Sequence, residues 1–296
     1  TVTGVKIFTV TTAAGVTRRF LLASDGNITT VFCADGDEAW HAATPNFNHP
    51  LAADAYRSAV VKHDTLFVCE HGTVMATTDG NQWAQQCTGA DVTRLIAANP
   101  VRLYAYNAQG AMLSSDDSGK TWKAASIDES ASLLPNGEIA YATLPLNTNA
   151  NAFRTLLIGS VPEASTTAFS IWGKIDEGDA YSENQPWMFY DHNTLNRHEL
   201  SLMQNFSAFT YDGKIMMVGN EDRIYLPYFY GSRDGGITWE ADTVITSPLG
   251  FFVTGPYTVS VDKDHFIWFV SGKTGETWRG RINRLGWKKE QYEYYE

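Results

Sequence analysis

The sequence predicts an all-β chain folded as a six-bladed β-propeller, and three observations carry that expectation. Short β-rich runs, such as Thr65 to Val68, Val101 to Tyr106 and Lys214 to Val218, alternate with Gly, Asn and Asp turn signals. Helical patterning is confined to Asp91–Ala98 and Leu195–Met203. One short element recurs along the chain, and tryptophans recur with it at a mean step of about 49 residues.

The recurring element accounts for its own spacing. Ser115 to Trp122 and Ser232 to Trp239 both read Ser-x-Asp-x-Gly-x-Thr-Trp. Thr77 to Trp83 is the same element shortened by one residue, and Cys33 to Trp40 keeps only the Asp35 to Trp40 spacing. The carboxylates of Asp79, Asp117 and Asp234 can accept hydrogen bonds from N–H groups a few residues on and close a turn. The Gly supplies positive φ. The Trp (Trp83, Trp122, Trp239) opens the next strand and covers the turn.

This pattern resembles the Asp-box, or BNR repeat, of sialidases and related β-propellers. The resemblance implies that each box joins the third and fourth strands of a blade, so Asp35, Asp79, Asp117 and Asp234 are structural. The fourth-strand openers are then Trp40, Trp83, Trp122, Trp187, Trp239 and Trp287. The box is lost before Trp187, and Trp278 falls in a third strand. One domain follows, with blades at approximately 1–45, 46–90, 91–126, 127–192, 193–245 and 246–296. The alternative is seven blades, with Thr1 to Val16 divided differently. The closing run from Trp278 to Trp287 also makes the chain similar to the C-terminal propeller of secreted, often lipid-anchored Bacteroides-type proteins. That similarity implies an extracellular, cell-surface or periplasmic protein whose leader and N-terminal region are not in this sequence.

Composition excludes several classes. At 44% hydrophobic and 13% aromatic residues, the chain is too apolar to be disordered. No apolar run is long enough to span a bilayer and no signal peptide opens the chain, so this region is not expected to insert in a membrane. A net charge of −11 disfavours nucleic acid and anionic membranes as partners. Cys69 and Cys87 fall on strands separated by one other, about 9–10 Å apart, too far for a disulfide. With Cys33 they are read as free thiols.

The sialidase resemblance implies an early Arg-Ile-Pro, an arginine triad, a Tyr–Glu pair and an Asp acid, and these are not found. Arg18 and Arg19 lie in one strand, where alternation sends them to opposite sides. The seven histidines show no zinc spacing with each other or with cysteine. Gly119-Lys120-Thr121 and Gly272-Lys273-Thr274 lack the earlier Gly and the helix of a phosphate loop. No cofactor, metal or catalytic residue is therefore expected.

Asp-box propellers bind at the channel mouth lined by the turns between second and third strands. Those turns are read at Ser24–Asn27, Glu70–Gly72, Asn107–Gly110, Gly159–Thr167, Gly219–Ile224 and Ser271–Glu276. Their polar tips, Asp25, Asn27, Glu70, His71, Asn107, Gln109, Asn220, Glu221, Arg223, Lys273 and Glu276, are the candidate ligand-binding residues. The connection from His41 to Ser58 adds Phe47, His49 and Tyr56. Such a lining suits sugar or peptide. The expected function is a non-catalytic, exported binding propeller with a carbohydrate or protein partner. One alternative is a glycoside hydrolase or lyase at the mouth, using Glu70, Glu221 or Glu276. Another is a structural domain supporting an absent N-terminal domain.

Overall fold

A computed structural model describes residues 1–296 apart from 90, 147–150, 163–166, 191–202, 212, 222–226, 242–254 and 282–296. Its strands form six antiparallel sheets, met one after another along the chain. The first holds β1 (Gly4–Thr11), β2 (Thr17–Ser24), β3 (Ile28–Asp35) and β4 (His41–Ala42), with β5 (Leu51–Ala52) also paired to β3. The second holds β6 (Ala59–Lys62), β7 (Thr65–Glu70), β8 (Thr73–Thr77) and β9 (Trp83–Cys87). The third holds β10 (Val92–Ala98), β11 (Leu103–Asn107), β12 (Met112–Ser115) and β13 (Lys123–Ala124). The fourth holds β14 (Ile139–Pro145), β15 (Phe153–Pro162), β16 (Thr167–Asp176) and β17 (Met188–Phe189), with a short helix α1 (Ala180–Asn184) before β17. The fifth holds β18 (Met203–Tyr211), β19 (Lys214–Glu221), β20 (Pro227–Ser232) and β21 (Glu240–Ala241). The sixth holds β22 (Tyr257–Val261), β23 (Ile267–Ser271) and β24 (Thr277–Gly280).

Alternation along each strand sends side chains to both faces of its sheet, so every sheet packs on two neighbours. Phe20 and Leu22 face the second sheet's Leu66 and Val68, while Leu21 faces Trp268 and Val270 of the sixth. Four further clusters join the second sheet to the third, third to fourth, fourth to fifth and fifth to sixth. The first strands of neighbouring sheets pack side by side, and β22 packs on β1. The sheets therefore close into a ring of six blades around a central channel. The seven-bladed division does not occur.

Hydrogen bonds between first strands support the ring. Ser58 Oγ accepts from Leu95 N at 3.0 Å, Ser207 Oγ from Val259 N at 3.1 Å, and Thr258 Oγ1 from Ile7 N at 3.0 Å.

One helical expectation fails. Val92–Ala98 is a strand, not a helix. Its register against β11 shifts between Val92 and Arg94 and again between Leu95 and Ala97. These irregularities bury Val92, Leu95 and Ile96 at a spacing that imitates a helix face. Of the other segment, 195–202 lies outside the described residues and Met203 opens β18.

The repeated turns show why the motif reads as it does. In the two full copies Ser115 and Ser232 donate to Asp117 and Asp234 at 2.8 Å. Each Asp accepts from Thr121 N or Thr238 N at 2.9 Å and from the same threonine's hydroxyl at 2.5 Å. Trp122 and Trp239 donate their indole N–H to Gly119 O and Gly236 O at 3.0 Å. Gly236 has φ 99°, and a Cβ there would fall 2.5 Å from Leu156, so glycine is required twice over. In the shortened copy Asp79 accepts from Asn81 N and Gln82 N at 2.8 Å, and Trp83 donates to Gly80 O at 2.7 Å.

The degenerate copy is built differently. Asp35 receives Arg18 in a bidentate pair at 2.7 and 2.9 Å. Trp40 donates to Thr277 Oγ1 at 2.7 Å and shares Arg19 with Trp268, the guanidinium lying 4.5 and 4.3 Å from the two rings. Without the Ser, Gly and Thr, Asp and Trp take other partners. Trp187, whose blade has no such turn, is fully buried, and its indole N–H has no acceptor among the described residues.

Candidate functional site

The channel has two ends. The turns between first and second strands and those between third and fourth lie at one. The other, here called the mouth, carries the starts of the first strands and the turns between second and third strands.

Lys6, on β1 of the first blade, reaches across the channel and donates to Ile139 O of the fourth blade at 2.5 Å. These blades are opposite one another in a ring of six. Lys6 therefore divides the channel into a lower cavity of about 350 Å³ and a mouth. The lower cavity is lined by all six first strands, including Thr9, Tyr141, Thr143 and Ser260. There Tyr141 accepts from Val61 N at 3.0 Å, and burial raises its phenol above the ordinary range.

The mouth has a narrow cavity of about 70 Å³ bordered by Lys6, Tyr56, Arg57, Glu138 and Tyr257. A side lobe of about 230 Å³ is bordered by Asp54, Arg57, Ser58, Glu70, His71 and Arg94. Arg57 belongs to both. The segment Leu51 to Ser58 shapes this end: β5 pins it to β3, and a 3-10 turn at Ala55–Arg57 sets Tyr56 and Arg57 over the channel. Gly4 makes room for Tyr56, since a Cβ at Gly4 would lie 2.1 Å from its ring.

The mouth carries three cations, Lys6, Arg57 and Arg94, and three carboxylates, Asp54, Glu70 and Glu138. Arg94 donates to the carbonyls of Arg57, Asn136 and Gly137 at 3.2, 3.2 and 2.8 Å. Arg57 donates from Nε to Tyr56 Oη at 3.0 Å, leaving its two terminal nitrogens without a partner among the described residues. Burial, then the nearby Arg94, pushes the Lys6 ammonium down to about 8, while Glu138 acts in the opposite direction. Burial pushes the Arg94 guanidinium down to about 10; Tyr106 and Asp54 oppose that shift and Arg57 adds to it. Glu138 accepts from Phe206 N at 3.0 Å.

The candidate residues read from sequence spread around this end. Glu70 and His71 line the side lobe. Glu70 is buried, accepting from Ala52 N at 2.7 Å and pairing with His49 Nε2 at 2.5 Å. Asp25 closes its turn by accepting from Asn27 N and Ile28 N at 2.8 and 2.9 Å. Asn107 does the same for Gln109 N and Ala111 N at 3.0 and 2.9 Å. Asn27, Gln109 and Lys273 are exposed. Glu276 accepts from Trp278 Nε1 at 2.7 Å. Asn220 and Glu221 end β19, and Arg223 lies outside the described residues. Only Glu70 and His71 share a described cavity.

Tyr56 was legible in the long connection. Lys6, Arg57, Arg94 and Glu138 were not. The one available signal was a basic residue interrupting an apolar run, as in Val5-Lys6-Ile7 and Val92-Thr93-Arg94-Leu95. Arg18 and Arg19 do part: Arg18 reaches Thr78 O in the second blade, and Arg19 lies on Trp268 in the sixth.

Six sheets, each with three to five described strands, around a channel crossed by Lys6 define this chain as a β-propeller with a polar mouth. It belongs to the DUF6242 beta propeller domain family, whose model matches residues 7–290. No curated protein matches the sequence. Among solved structures, the Hadza microbial sialidase Hz136 is similar at 12% identity and TM-score 0.56, over 95% of this chain and 66% of that one. A fucose-specific lectin from Aleuria aurantia is similar at 10% identity and TM-score 0.50, over 94% of this chain and 95% of that one. These likenesses concern the fold. Among the described residues, no helix is long and apolar enough to cross a membrane.

Proposed function

We propose that this domain is a non-catalytic, exported binding propeller that takes a carbohydrate or protein partner at the channel mouth. The repeated Asp-Gly-Trp turns are read as Asp-boxes, placed on the opposite face from the partner. The observation that carries the reading is the state of Glu70 and Glu276, two of the three nominated acids. Glu70 is occupied by His49 and the Ala52 N–H, and Glu276 holds the Trp278 indole. Carboxylates committed to the fold are poor general acids and bases, whereas the mouth between them retains open donors at Arg57. Carbohydrate is the first choice of partner because two proteins of similar fold are named for sugar-directed activities, a lectin and a sialidase.

The test is a glycan array and a cell-surface pull-down with the purified domain, each followed by thermal melting with the hits. Binding that raises the melting temperature supports the reading. Inertness in both, or turnover of a bound glycan, overturns it.

A further inference from the structure

We infer that the mouth is an oxyanion site, in which Lys6 and Arg57, backed by Arg94 from the adjoining lobe, receive a carboxylate, sulfate or phosphate group. This deepens the binding function proposed above and rests on it. Three side chains from three separate elements, β1, the 3-10 turn and β10, converge here in a protein whose net charge is −11. No carboxylate of the described residues forms an ion pair with any of them. Several cations elsewhere are paired, Arg18 with Asp35, Arg279 with Asp37, and Lys174 and Arg102 with Asp176, while the buried Arg19 donates to carbonyls and lies between two indole rings. At the mouth, the described partners of Lys6 and Arg94 are carbonyl oxygens, which orient N–H groups without cancelling charge.

The repulsion among the three is relieved only in part from within, by Glu138 at Lys6 and by Tyr106 and Asp54 at Arg94. Arg94 and Arg57 both act to discharge Lys6, and the opposing influence of Glu138 ranks behind burial and Arg94. An arriving anion would reverse the sign of that field and meet donors already held in place. The ammonium has hydrogens beyond the one given to Ile139 O, and the Arg57 fork is open. The 70 Å³ cavity suits a single oxyanion. The adjoining lobe, with Ser58 and Asp54 at its border, is below the ~300–1,000 Å³ of a drug-sized pocket and suits one attached ring.

The experiment is titration calorimetry at low ionic strength with sodium glucuronate, sodium sulfate, sodium phosphate and neutral glucose. It uses the wild type, Arg57→Ala, Lys6→Met and Asp54→Asn, each checked for an unchanged melting profile. Arg57 is exposed and its side chain makes one described hydrogen bond, so its replacement leaves the fold intact. Anions should bind and glucose should not, with Arg57→Ala and Lys6→Met each weakening anion binding about tenfold and Asp54→Asn not weakening it. Added sodium chloride should weaken it further. Tighter binding of glucuronate than of sulfate or phosphate identifies an acidic sugar as the source; the reverse identifies a free inorganic anion. Anion binding unaffected by both cation variants overturns the inference. So does anion inertness in a protein that still captures neutral glycans or a protein partner, and that result leaves the binding function standing. Inertness toward every probe removes both.

Discussion

Two groups of cations in this molecule are arranged in opposite ways. Between the third and fourth blades, Asp176 is fully buried and receives Lys174 Nζ at 3.0 Å, Tyr104 Oη at 2.6 Å, Asn99 Nδ2 at 2.8 Å and Arg102. Arg102 also donates to Asp179 O at 3.1 Å, tying α1 to the third blade. Burial lowers the Lys174 ammonium, and Asp176 opposes that shift. Around the channel mouth, Lys6 and Arg94 are anchored on carbonyls, Arg57 is exposed, and none of the three forms an ion pair with a described carboxylate. A buried ion must be compensated or it weakens the fold. The first cluster finds its anion within the fold, although Arg102 Nε is left without a partner among the described residues; the second forms no ion pair among them.

The largest expected effect breaks the first cluster. Asp176→Ala leaves Arg102 and Lys174 buried without their anion, and should cost about 3–5 kcal/mol in urea unfolding. A loss below about 1 kcal/mol would mean that the two cations reach water, and the contrast between the clusters would fail.

The second effect runs the other way. Lys6→Met removes an uncompensated cation, so stability at neutral pH should hold within ~1 kcal/mol or rise. The sign with pH follows from the lowered ammonium. Lys6 titrates at about 8 when folded, against 10.5 for the free side chain. Between those values the unfolded chain binds more protons, so the wild type gains stability as pH climbs through that window. The gain, taken as wild type minus Lys6→Met so that other groups cancel, should be on the order of 1–3 kcal/mol after allowance for solvent in the channel. A difference that stays flat from pH 7 to 10.5 would show Lys6 to be already compensated.

The smallest effects concern the turns on the opposite face. Asp117→Ala should lower stability by ~0.5–2 kcal/mol, as for a lost cap, and Asp35→Ala by only ~0–1 kcal/mol, as for a surface ion pair. Thermal melts of both variants rank them. Burial alone would raise the Asp117 carboxyl, but hydrogen bonds from Thr121, Ser115 and Lys120 outweigh it and hold it below 3.8. Its share of stability is therefore present above that value and lost as acid takes the pH through the lower folded one. Asp117→Ala should narrow the gap to wild type in strong acid.

The fold was more legible than the site for a physical reason. Turn chemistry is local: Ser115, Asp117, Gly119, Thr121 and Trp122 bond to one another, so their spacing in sequence is their geometry in space. The same holds for Asp25 and Asn107, which the sequence offered as ligand residues and which close their own turns. The mouth is assembled from residues as distant as Lys6 and Ile139, so no spacing records it. Asp91–Ala98 was misleading because register shifts gave a strand the burial rhythm of a helix. The partner of Trp40 was not legible, because its indole serves the sixth blade rather than its own turn.

The bridge from Lys6 to Ile139 makes the ring a cup rather than a pipe. Whatever settles above it meets the Lys6 bridge before the lower cavity, so its unobstructed way out is back through the mouth. Residence time is then governed by that exit, where the exposed Arg57 is the last group to let go. Salt and pH at that rim would set how fast the cup empties.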